Sequence, residues 1–264
     1  MRIPWRAVVF CALAVLTGTT VKAESSTQCT SLGFCYCVNA DLRPIMERHV
    51  ADIRKAMRAQ RDLGKAIGYL SIPISTIEGS YFGVNIDTAN DVIARLEARM
   101  GRDLVWTLNP GAKEWSLPGN PTGADYMFMW ASVLEGTDSL GSDFDFVYFV
   151  GPSDFAAQLK LDGTADMQKL EAYYDKRAAT DPGIAKVEKR AFRNFYALRA
   201  SVAFSLGSHD EWNIAKAIND RRRSKDQSKG IPSQLAILFD GHAVPPPSYE
   251  GTVQPGNVGA CIAK

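Results

Sequence analysis

Apolar residues fall into two rhythms along this chain. Short, mostly apolar runs at 66–72, 104–108, 144–150 and 235–239 read as strands, because each is strand-length and stops at Pro, Asn-Pro, Gly-Pro or Asp-Gly. Between them, apolar residues recur every three or four positions, the period of a helix with one buried face. Leu42, Ile45, Met46, Val50, Ile53 and Met57 set that period over 40–63, and Gly64 ends it. The same period predicts helices from about 87 to 100 and at 124–134, 165–178, 184–205 and 209–222. Segments 73–83 and 109–122 are rich in Ser, Gly, Pro and Thr and read as loops, and the tail from Val244 predicts no regular structure. Alternating strands and helices predict an α/β fold: a mainly parallel sheet, helices on both faces, Rossmann-like in plan.

The N-terminus fits neither rhythm. Arg2 and Arg6 precede an apolar run from Ala7 to Leu16, and Val21-Lys22-Ala23 places small residues at the two positions a signal peptidase reads. The run is too short for a bilayer core, which needs about 20 residues. Residues 1–23 are therefore expected to be a cleaved secretory signal, with 24–264 a single domain that is periplasmic or secreted and not stably inserted in a membrane. Cysteine usage agrees with export. Four cysteines follow the leader, Cys29, Cys35, Cys37 and Cys261, an even number suited to two disulfides. A Cys35–Cys37 bridge would strain so short a loop. That leaves Cys29–Cys35 with Cys37–Cys261, or Cys29–Cys37 with Cys35–Cys261, and either tethers the tail to the N-terminal segment. No histidine lies beside these cysteines, so no metal is expected there.

Removal of Arg2, Arg6 and Lys22 with the leader lowers the formal charge from +1 by three, to −2. Such a balance argues against nucleic acid as a partner, because phosphate neutralisation needs a basic surface. A small-molecule ligand is the expected partner, with no cofactor indicated, and oligomeric state is left open.

In open α/β sheets ligands settle beyond the carboxyl ends of the strands. That rule selects the loops after 72, 108, 150 and 239. From them come Ser71, Glu78 and Tyr81, then Glu114 and Trp115, then Ser153 and Asp154, with Tyr69 on the first of these strands. Glu78 and Asp154 are the candidate base or nucleophile; Tyr69, Ser71, Tyr81, Trp115 and Ser153 are the candidate substrate-binding residues. Any one of them also suits an ordinary turn. Ser208-His209-Asp210-Glu211 reads as a capping box, with Ser208 as N-cap and Glu211 reaching back. Asp125 suits a helix start, and Asp145 suits backbone hydrogen bonding at a strand start. The apolar stretch Tyr126 to Trp130 reads as a buried helix. There is no G-x-S-x-G elbow, H-E-x-x-H, Walker A or G-x-G-x-x-G motif.

Gly68-Tyr69-Leu70-Ser71-Ile72-Pro73 resembles the first strand of nucleoside 2-deoxyribosyltransferase-like proteins. Asp145-Phe146-Val147-Tyr148-Phe149-Val150-Gly151-Pro152-Ser153-Asp154 resembles their later strand and acidic ligand loop, so the resemblance covers about 66–160. It implies a small nucleoside-like or sugar-like ligand. The family's nucleophilic Glu, in a Gly- and Thr-containing segment opening the helix after that later strand, has no counterpart here. The leading expectation is an exported enzyme of hydrolase or glycosyl-transfer type acting on a small polar molecule. The alternative is a non-catalytic periplasmic domain that binds a ligand or a protein.

Overall fold

The structure is a computed structural model and describes residues 24–74, 79–225, 234–245 and 251–262. The expected leader, Glu78 with its neighbours 75–77, and the end of the tail lie outside the described residues.

Strand β3 (Ala66–Ser71) is the centre of the molecule, buried from Ile67 to Ser71. That is why its sequence is a continuous apolar run and not an alternation. It pairs in parallel with β4 (Val105–Leu108) on one side and β5 (Phe146–Phe149) on the other. Beyond β5 lies parallel β6 (Ala236–Phe239), then a two-residue antiparallel edge, β7 (His242–Ala243). The order β4-β3-β5-β6-β7 gives a mixed α/β fold around a mostly parallel sheet. Because β3, β4 and β5 are parallel, the loops that follow them leave at one sheet edge.

The expected helix at 40–63 is α1 (Arg43–Asp62), with Met46, Ile53 and Met57 buried on one face. Helix α2 (Phe82–Met100) starts several residues before the predicted position, and α3 (Gly123–Glu135) matches its prediction closely. Met127, Met129 and Trp130 of α3 are buried, so the aromatic-rich stretch belongs to the core. Segment 151–154, expected as a loop, is instead the start of a short helix, α4 (Pro152–Leu159). Pro152 suits a first helical turn, and Asp154 completes a capping box with the Gly151 backbone. Helix α5 (Asp166–Ala178) is as expected. The long helix predicted at 184–205 breaks into a 3-10 turn at Pro182–Lys186, α6 (Lys189–Leu198) and a second 3-10 turn at Val202–Phe204. Glu188 caps α6 by accepting from Arg190 and Ala191 N–H, and Ser201 restarts the chain by accepting from Ala203 N–H. Helix α7 (Leu206–Ser224) begins earlier than periodicity indicated.

A separate antiparallel hairpin, β1 (Ser25–Cys29) and β2 (Cys35–Asn39), was not anticipated. Its alternation is plain in Tyr36 and Val38, buried between outward Cys35 and Cys37. The hairpin packs on α3, and Asn39 N–H donates to Asp125 at 2.8 Å. The disulfides are Cys29–Cys35, across the hairpin, and Cys37–Cys261, which ties the tail to β2.

Candidate functional site

Tyr69 and Ser71 stand two residues apart on β3, so their side chains share one sheet face. Both hydroxyls donate to a single carboxylate, Tyr69 to Glu211 Oε1 and Ser71 to Glu211 Oε2 at 2.5 Å. Glu211 lies in the second turn of α7, on a buried stripe with Ser208, Ala215, Ile218 and Arg222. The helix is capped by Ser205, whose hydroxyl accepts from Ser208 N–H at 3.3 Å. The capping box expected at Ser208 is therefore displaced by one turn: Ser208 is inside the helix, and Glu211 turns to the sheet instead of back to the cap. A carboxylate on the apolar stripe of a helix was the available signal for this residue.

Burial pushes the Glu211 carboxyl up to about 7; the Ser71 and Tyr69 hydroxyls pull it down, and Asp210 adds to the rise. The Tyr69 phenol is held well above its ordinary value, first by burial and then by the neighbouring Glu211 charge. At neutral pH Glu211 thus divides between acid and carboxylate, while Tyr69 stays a donor.

Glu211 lines a cavity of about 490 Å3, the size of a small-molecule site. Ile72 and Ile74 after β3, Pro110 and Ala112 after β4, and the first turns of α3 and α7 also shape it. Trp115, Tyr126 and Trp130 provide an aromatic wall, with Phe82 half-exposed beside them.

The strap 251–262 runs along α7 and contributes Asn257 to the lining. Asp210 accepts from Gly256 N–H at 2.8 Å and Asn257 N–H at 2.7 Å, and Asn213 exchanges two 2.9 Å hydrogen bonds with the Val253 backbone. The approach requires glycine at Gly256, where a Cβ would lie 2.0 Å from the Leu206 carbonyl; a Cβ on Gly123 would displace the Asn257 side chain.

Protein-family models, curated proteins and solved structures yield no match to this chain.

Of the expected site residues, Trp115 lines this pocket, while Tyr69 and Ser71 are fully buried behind it and reach it only through their hydrogen bonds to Glu211. It does not bring Tyr81, whose hydroxyl donates to Asp181 at 2.7 Å and whose N–H donates to Tyr196. Ser153 is exposed, its backbone N–H donating to Asp240. Asp154 is buried on the opposite sheet face, where it accepts from Tyr148, from Gly151 N–H and from Arg95 at 3.0 Å. It lines a separate cavity of about 140 Å3. Glu78 lies outside the described residues. Asp125 and Asp145 play the structural parts expected of them: Asp125 caps α3 through Thr122, and Asp145 accepts from Ile67 N–H at 2.6 Å. Among the described residues no group of His, Cys, Asp or Glu is arranged to hold a metal ion, and no helix is long and apolar enough to cross a membrane.

Proposed function

We propose that this chain is an exported, Rossmann-like enzyme of hydrolase or glycosyl-transfer type, acting on a small polar molecule in the Glu211 pocket. The observation that carries the reading is the Glu211 carboxyl itself, buried between two hydroxyl donors at the wall of the cavity, where burial pushes it up to about 7. A carboxyl with that value gives a proton to a leaving group and takes one from water at the same pH, which is what hydrolysis or transfer through one acidic residue requires. Tyr69 and Ser71 fix its orientation. The lining is mostly apolar, and Trp115, Tyr126 and Trp130 give it aromatic surface suited to a base or sugar ring. The resemblance to nucleoside 2-deoxyribosyltransferase-like proteins supports the same class, since the two strand residues that help carry it, Tyr69 and Ser71, are those that hold Glu211. The leader and the two disulfides support export to an oxidising compartment.

A second reading, a non-catalytic ligand-binding domain, is favoured by one observation: among the described residues Glu211 is the only carboxylate lining the pocket, and both its oxygens already accept hydrogen bonds.

The test is a thermal-shift screen of the mature protein against nucleosides, nucleotides and sugars, followed by turnover assays with chromogenic glycosides and esters. A ligand is expected to raise Tm by mass action. Glu211→Gln is expected to lower kcat on a saturating substrate by about 100- to 10,000-fold. Binding with no turnover of any substrate would leave the second reading standing.

A further inference from the structure

The pocket is defined electrostatically by what surrounds it. Among the described residues lining it there is no Lys, Arg or His. Asp125 of α3 and Asp210 of α7, each beside a lining residue in sequence, are buried, and neither forms an ion pair among the described residues. Burial first, and then Asp210, Glu135 and Glu211, raise the Tyr36 phenol of β2, so these three carboxylates act on one ring. The first turns of α3 and α7 oppose them with about half a positive charge each. Two half-charges are outweighed by Asp125 and Asp210 alone, before Glu211 is counted. The balance is negative.

A second observation points to a ligand. Ser208 is 3% exposed and lines the pocket, and its hydroxyl has no hydrogen-bond partner among the described residues. It precedes Glu211 by three residues, so both present polar atoms on one face of α7. A buried hydroxyl without a partner is costly unless something in the cavity satisfies it. Trp115, Tyr126 and Trp130 line the same pocket and provide aromatic surface for the body of a ligand.

We propose that the pocket takes a small organic ammonium ion, a protonated amine on an apolar or aromatic body. Its N–H groups donate to Ser208 Oγ and to the free lone pairs of Glu211, and its body lies against the aromatic wall. The proposal rests on the reading of this pocket as the functional site and names the ligand class that the site selects.

The experiment uses the mature, disulfide-bonded protein at pH 8 and three probes of similar size: 2-phenylethylamine, 2-phenylethanol and 3-phenylpropionate. Titration calorimetry is expected to show the amine binding at least about tenfold tighter than the alcohol, and the carboxylate not at all. Glu211→Gln should reduce the amine preference to under about threefold. Ser208→Ala, which leaves Glu211 in place, should weaken the amine several-fold and leave the alcohol unchanged. Circular dichroism melts confirm that each variant folds. Tighter binding of the carboxylate, an amine preference that survives in Glu211→Gln, or no binding of any probe overturns the proposal. Failure of the enzyme reading looks different: amine selectivity without turnover of any amine-bearing ester or glycoside ends that reading and keeps this one. Turnover of neutral substrates without amine selectivity does the reverse.

Discussion

Two buried carboxylates, one on each face of the sheet, receive tyrosine hydroxyls in nearly the same way and are otherwise opposites. Tyr69 of β3 and Tyr148 of β5 lie one register step apart, since Tyr69 pairs with Val147 and Leu70 with Tyr148. One step puts their side chains on opposite faces. On one face Tyr148 donates to Asp154, which also holds Arg95 and the Gly151 N–H and so completes the start of α4. On the other face Tyr69 donates to Glu211, which has only a second hydroxyl for company and opens on a cavity more than three times as large. An acid compensated by a guanidinium and a helix start does structural service. An acid held only by neutral donors keeps a proton within reach of neutral pH, and that difference is why the proposed chemistry falls to Glu211.

The sharpest way to separate the two faces is to release the strap, because it covers only the Glu211 side. Cys37–Cys261 joins residues 224 apart, and closing so long a loop contributes about 5 kcal/mol in the chain-entropy model. Cys29–Cys35, with a separation of 6, contributes about 2 kcal/mol. The Cys37→Ser/Cys261→Ser double variant is expected to lose up to the larger amount in urea denaturation. Its hydrogen exchange should quicken first at the Gly256 and Asn257 amides, held by Asp210, while the Gly151 amide, held by Asp154, keeps its protection. Equal loosening on both faces would mean the strap stabilises the whole fold and not the pocket.

The asymmetry of the two faces was only half legible in the sequence. The strands at 66–72, 104–108, 144–150 and 235–239 could be read because they are short and mostly apolar, most fully so in β3 and β5, which are buried on both faces. Ser71 and Trp115 followed from the rule that ligands gather beyond strand ends, and Tyr69 from its place on the strand before Ser71; of the three, Trp115 lines the pocket. Glu211 escaped because Ser208-His209-Asp210-Glu211 satisfies the local grammar of a capping box, and only tertiary packing shows that Ser205 is the cap. Asp154 misled for the converse reason. It does follow a strand end, but Gly151-Pro152 turns the chain at once into α4, on the face away from Ser71. The hairpin was hidden because its cysteines drew attention to bonding, while the alternating burial of Tyr36 and Val38 carried the strand signal. Which of two disulfide pairings forms depends on register, with Cys29 directly opposite Cys35, and spacing does not contain register.

The next contrast is in pH. The Glu211 carboxyl rises from 4.5 in the free side chain to about 7 in the fold. A raised carboxyl favours the folded state only while protonated. Its contribution is complete below pH 4.5, declines as pH rises, and is gone above about 7. The loss is about 3 kcal/mol across that window. Urea denaturation from pH 4 to pH 8 should therefore show wild type losing stability relative to Glu211→Gln, whose side chain does not titrate. A constant difference between the two across the range would show that Glu211 titrates in the fold as it does in the unfolded chain, and so has no raised proton affinity to use at neutral pH.

The smallest effect belongs to the other face, and it tests the comparison from the opposite direction. Burial pushes Asp154 up, and the lowering pull of the Gly151 N–H, Tyr148 and Arg95 offsets that rise only in part. Asp154→Asn keeps an oxygen for Tyr148 and the capping box but gives up the ion pair. Arg95 is 44% exposed and shared with Asp91, so water screens much of that pair. The expected cost is about 1–2 kcal/mol, split between the weakened cap and the screened ion pair. Turnover of any substrate found for the Glu211 pocket should stay within about threefold of wild type, because the substitution lies across the sheet from it. Urea denaturation and steady-state kinetics on the same preparation measure both. A stable Asp154→Asn protein that had lost activity would return the catalytic role to Asp154, and the two faces would have to be read the other way round.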